Sequence, residues 1–194
     1  MTQAKSLSAL LDLAENQRQV TGRCNLNLSA AIFSKTKSRK ETEETAERYA
    51  RKLVDSSLVS GDIVELDIFA LHQVGQAGVF VHAIPDGSVI FISEADKLTQ
   101  NTLAMKEVVP AIVQAVSARN CTLVMVCEEK NHRKILELDA GLPRRIPHTF
   151  DLDTAPPAVV AKELDDDMAI MKPMGRVKPR NMHMPPRPNI PRPH

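Results

Sequence analysis

The side chains of this sequence that could do chemistry are thinly spread, and carboxylates lead them. Glu94 follows a strand-like run, residues 88–93, and a carboxylate at a strand end can act as a general base. The same placement suits an ordinary solvated strand-end acid. Asp86, Glu94 and Asp96 lie close in sequence, but a nuclease-type acidic set needs a lysine two residues after its last acid, and Asp96 stands two after Glu94. His72, His82 and His132 are too scattered to read as metal ligands and fit surface or hydrogen-bonded histidines. Cys24, Cys121 and Cys127 form no C-x-x-C pair and are odd in number, which fits free, buried thiols in a reducing compartment. No Ser/His/Asp set, phosphate-binding loop or dinucleotide fingerprint can be assembled.

Composition narrows the classes further. The chain has 194 residues, a net charge of +1 and 43% hydrophobic residues, so one domain with an apolar core is expected and no strong field directs it to nucleic acid or membrane. Aromatics are 3% and Trp is absent, so that core must be aliphatic. No stretch approaches the roughly 20 apolar residues of a membrane span. Charge and proline are uneven: residues 155–194 hold nine of the thirteen prolines, then Lys172, Arg176, Lys178, Arg180, Arg187 and Arg192 with no acid among them. That tail is expected to be disordered and basic, able to hold phosphate backbone or an acidic partner.

Three regions follow: an N-terminal helix in residues 1–22, an α/β domain in 23–153 and the tail in 154–194. Leu7, Leu10, Leu11 and Ala14 are helically spaced. From Cys24 to Ile32 apolar and polar residues alternate, which predicts a strand. Ser38 and Glu41 form an S-x-x-E capping box that announces a helix to about Ser56, with Ala46, Tyr49, Ala50 and Leu53 inside. Alternation predicts strands at 63–71, 79–84 and 88–93, the last two joined by Pro85-Asp86-Gly87 as an antiparallel meander. A long helix from about Leu98 to Ala118 contains Pro110, and an apolar strand at 123–126 is expected parallel to 88–93. A helix from Asn131, closed by Gly141 in the left-handed position, leads to a strand at 145–152.

Strand, helix, three antiparallel strands, long helix, strand, helix, strand is the order of the GNAT acetyltransferase fold, which residues 24–153 resemble. The nearest local likeness is residues 131–142, an Asn after the fifth strand, an amphipathic helix, then Gly141 and an apolar residue. More narrowly the pattern resembles GNAT-like proteins of tailed phages, some of them virion components. The resemblance implies a mixed, mostly antiparallel sheet flanked by helices, with acetyl-CoA as the cofactor of an active member. It implies Glu94 as base toward an amine, and Thr99, Gln100, Asn101 and Asn131 as cofactor-binding positions. The family's Q/R-x-x-G-x-G/A loop, however, is replaced by E-A-D-K-L-T-Q-N at 94–101, with no glycine and two carboxylates that would repel a pyrophosphate. The family's frequent Tyr general acid has no counterpart, since the one tyrosine is Tyr49.

These departures lead to the expectation of a structural or interaction protein with protein partners and without efficient acetyl-CoA chemistry. Its expected setting is the cytoplasm, or a virion if the chain is phage-encoded. Two alternatives stand beside it: a divergent acetyl-CoA-dependent N-acetyltransferase using Glu94, and a nucleic-acid accessory protein acting through the six cations of the tail.

Overall fold

Helix α2 (Arg39–Asp55) forms where the capping box announces it: the Ser38 hydroxyl accepts the Glu41 amide at 3.3 Å, and a Glu41 carboxylate oxygen accepts the Ser38 amide at 2.8 Å. Thr42, Thr45, Ala46, Tyr49, Ala50 and Leu53 form its buried face. The computed structural model describes residues 6–72, 77–100 and 103–154. Asn101 and the Pro-rich tail, with the six cations from Lys172 onward, lie outside the described residues.

The strands are β1 (Ala30–Phe33), β2 (Ile63–Glu65), β3 (Val89–Ile92), β4 (Thr122–Val126) and β5 (His148–Asp151). They form one sheet in the order β2-β3-β4-β1-β5, and every pairing is parallel. The α/β class is as expected and so is the parallel pairing of β3 with β4, but the mostly antiparallel sheet is corrected to a parallel one. Parallel neighbours require crossover connections, and helices on both faces supply them.

Alternate residues of each inner strand divide between two cores. Ala31, Phe33, Ile90, Ile92, Leu123 and Met125 face one layer; Ala30, Ile32, Val89, Phe91, Val124 and Val126 face the other. The second layer is closed by α2 and by α1 (Leu7–Thr21), whose Leu7, Leu10, Leu11 and Ala14 are buried as their spacing predicts. The first layer receives α3 (Ile68–His72), α4 (Ala77–His82), α5 (Leu103–Ala118), α6 (Glu129–Leu136) and α7 (Leu142–Arg145). Helix α5 runs through Pro110 without ending there. Cys121 and Cys127 are buried together in that layer, as expected of free thiols of matching parity.

Four local expectations are corrected. The alternating run from Cys24 enters the sheet only at Ala30, because side chains take the backbone bonds before it. The Asn25 amide goes to Gln17, the Ser29 amide to Asn27, and the Leu123 amide to the Ser29 hydroxyl. The strand at 63–71 stops at Glu65, and Asp67 caps α3 by accepting the Ala70 amide at 3.0 Å. The strand at 79–84 is instead α4, so Pro85-Asp86-Gly87 turns helix into strand rather than closing a hairpin. Gly141 has φ −81°, not left-handed; a Cβ there would lie 2.9 Å from Asp139 Oδ1 and 3.0 Å from Val113 Cγ1, so a larger residue would have to push those side chains aside.

Candidate functional site

In a parallel α/β sheet the ligand crevice lies at the carboxyl ends of the strands, where successive connections leave for opposite faces. Here that switch falls between β1, whose chain departs into α2 on one face, and β4, whose chain departs into α6 on the other. A cavity of about 190 Å³ occupies the position, lined by Ser34, Lys37, Arg39, Thr42, Cys127 and Glu128. Nucleotide-sized ligands need clefts of roughly 300 Å³ or more, so this opening is too small for one.

The segment after β1 is a strand–loop–helix junction, the setting of a phosphate-binding loop. Set against G-x-x-x-x-G-K-[ST], residues 34–41 match only at Lys40; Ser34 and Arg39 hold the glycine positions and Glu41 the hydroxyl position. Much of the attraction such a loop offers an anion is met from within the chain. One carboxylate oxygen of Asp153, two residues beyond β5, accepts the Thr36 amide at 3.1 Å and also the Lys35 amide. The other accepts the Ser34 hydroxyl at 2.7 Å and the Thr36 hydroxyl. These bonds, led by that from Thr36, hold the Asp153 carboxyl far below its usual range. Lys35 Nζ lies 2.8 Å from Glu129, and Arg39 lies 3.4 Å from Asp96 and donates to the Ser93 carbonyl at 2.8 Å. At the helix start itself, Glu41 fills the place of an anion.

The candidates taken from the sequence converge on Asp96, in the 3₁₀ turn Ala95–Thr99 after β3. Asp96 Oδ1 accepts the Asn131 side-chain amide at 3.0 Å and the Glu128 backbone amide at 2.9 Å, and the Asp96 carbonyl accepts the Thr99 hydroxyl at 2.7 Å. Gln100 is exposed and donates its amide to Lys97. Glu94 is ion-paired with Lys97 one turn on. The structure thus gathers Thr99 and Asn131 onto Asp96, through its carbonyl and its carboxylate, while Glu94 at the start of the same turn pairs with Lys97.

The remaining reactive groups are quiet. Burial, reinforced by the nearby Asp96, pushes the Cys127 thiol up to about 12, so it carries no thiolate at neutral pH. His132 is half-buried, lowered by that burial, and hydrogen-bonds Thr149 at 3.2 Å beneath the Phe33 ring. Among the described residues no three His, Cys, Asp or Glu side chains are grouped to hold a metal, and no helix is long and apolar enough to cross a membrane.

Ser34, Lys35, Thr36 and Asp153 were not singled out from the sequence. The strand-to-helix position of residues 34–41 was a usable signal, but nothing local ties Asp153 to a loop more than a hundred residues earlier. No protein-family model, no curated protein and no solved structure matches this chain.

Proposed function

We propose that the chain is an interaction or structural module built on a nucleotide-site architecture whose phosphate-binding loop is filled by the protein's own carboxylates. The Asp153 clasp on the Lys35 and Thr36 amides carries this reading. An incoming phosphate would have to displace a carboxylate already bound by two amides and two hydroxyls. It would also meet Glu128, on the lining of a cavity too small to hold a nucleoside, and Asp96, which pairs with the Arg39 of that lining. The reading rests on this site and not on the acetyltransferase resemblance, whose sheet is mostly antiparallel.

Surface chemistry supports an interaction role. Val79 and Phe80 on α4 are adjacent large apolar residues, 56% and 52% exposed. Apolar pairs of this kind are found where proteins meet partners.

Isothermal titration of the full chain with Mg-ATP, acetyl-CoA and pyrophosphate tests the proposal. No binding heat is expected at millimolar ligand. Micromolar affinity for any of the three overturns it.

A further inference from the structure

A second cavity lies at the opposite end of the sheet from the clasp, where the chain enters β1, β2 and β4. It is an open groove of about 970 Å³ with a part-apolar floor that includes Leu26, Val54 and Val59. Arg18, Arg23 and Arg145 line it against a single carboxylate, Asp62. Among the described residues none of the three arginines pairs with a carboxylate. Arg18 donates to the Ser56 carbonyl, and Arg145 donates to the Gly141 carbonyl at 3.2 Å and the Ser117 hydroxyl at 2.6 Å. Two of the guanidinium groups are therefore held in place by neutral acceptors and keep their charge unmatched beside the groove.

The same chain carries a complementary sequence outside the described residues. Glu163, Asp165, Asp166 and Asp167 form an acidic knot, followed by the apolar Met168, Ile170 and Met171. We propose that this acidic segment docks in the arginine-lined groove, its carboxylates on Arg18, Arg23 and Arg145 and its apolar residues on the floor. Reach permits it. From Thr154 to Glu163 is nine residues, up to about 30 Å of extended chain. The four residues of β5 cover only about 13 Å of the distance from the carboxyl to the amino ends of the strands. Charge favours it, because bidentate guanidinium–carboxylate pairing is stronger than the bonds the arginines make to neutral oxygens. Tethering favours it as well, since an intramolecular segment is presented at high effective concentration and needs little intrinsic affinity. This inference does not depend on the reading of the loop at the other end.

Cys24 supplies the test. Cys24 and Cys121 both line the groove, but Cys24 is half-buried and Cys121 is buried; Cys127, buried at the far end of β4, reports unfolding. The full chain is treated with iodoacetamide at low salt, and alkylation is followed residue by residue by mass spectrometry. Cys24 is expected to react several-fold more slowly in the native chain than in the full-length Asp165→Asn, Asp166→Asn, Asp167→Asn variant. The two rates should converge at high salt, where charge pairs are screened. Arg23→Glu should also speed the reaction, and adding Asp166→Arg to it should slow it again. Cys121 and Cys127 should stay unreactive throughout. Equal Cys24 rates in the native and triple-Asn chains at low salt overturn the proposal. A rate ratio that grows with protein concentration also overturns it, by assigning the docking to a second copy.

Discussion

The Asp153 carboxylate accepts the Thr36 backbone amide at 3.1 Å, across 117 residues of sequence, and so ties the chain leaving β5 to the loop leaving β1. Asp153→Asn puts an amide donor where two backbone amides and two hydroxyls already donate. Its urea midpoint should fall, and amide exchange at Lys35 and Thr36 should quicken. The pH dependence has a definite sign. The folded value lies below the ordinary 3.8, so the stabilisation is full above that value, erodes as pH falls beneath it, and is gone once the folded value is passed. The variant should lose this part of the acid slope. An unchanged acid limb would show that the clasp contributes nothing to folding.

Asp96 joins three elements through α6, α2 and the 3₁₀ turn, and its side chain is 15% exposed. Removing it leaves the Glu128 amide and the Asn131 side chain without their acceptor. Asp96→Ala is expected to cost about 1–3 kcal/mol by chemical denaturation. Amides at the start of α6 should exchange first. A cost near zero would mean that water replaces the carboxylate freely.

Tyr49 is 1% exposed, and its hydroxyl donates to the Leu28 carbonyl at 2.8 Å. Tyr49→Phe should cost about 1 kcal/mol, the net worth of a buried hydrogen bond. Burial also holds the phenol far above its ordinary value. With one tyrosine and no tryptophan in the chain, phenolate absorbance in alkali should rise only as the domain unfolds. Titration near pH 10 with intact secondary structure would contradict this burial.

Gly87 has φ +74°, and a Cβ built there lies 2.0 Å from the Ser60 hydroxyl. Gly87→Ala is expected to lose about 1–2 kcal/mol from the left-handed backbone alone. Adding Ser60→Ala should recover the steric share and leave the backbone share. Full recovery in the double variant would place the whole cost in the side-chain clash.

Elements whose signals are local were legible. The Ser38–Glu41 box and the spacing of Ala46, Tyr49, Ala50 and Leu53 define α2 without outside help. Helix α4 was not legible, because its β-branched run reads as a strand and its stabiliser lies far along the chain. Arg119 donates to the carbonyls of Val81, His82 and Ile84, closing the helix end from 35 to 38 residues away. Parallel order was hidden for the same reason, since it turns on crossovers and not on any window of residues. Of the site, the turn after β3 was found through its acids, but its Asp96 served to bind Asn131 and Glu128 and not to repel a ligand. The loop after β1 went unremarked because its occupant arrives from the other end of the domain.

The sheet order also sets a timetable. In β1, Ala30 faces Val124 on one side and His148 on the other, so the first strand to leave the ribosome ends in the interior of the sheet, between β4 and β5. Its apolar residues must wait for nearly the whole domain to be translated before either neighbour exists. Until then Ala30–Phe33 is an apolar segment without a strand to pair with, the kind of transient exposure that favours aggregation. The last described turn to emerge, carrying Asp153, is the one that locks the first loop shut.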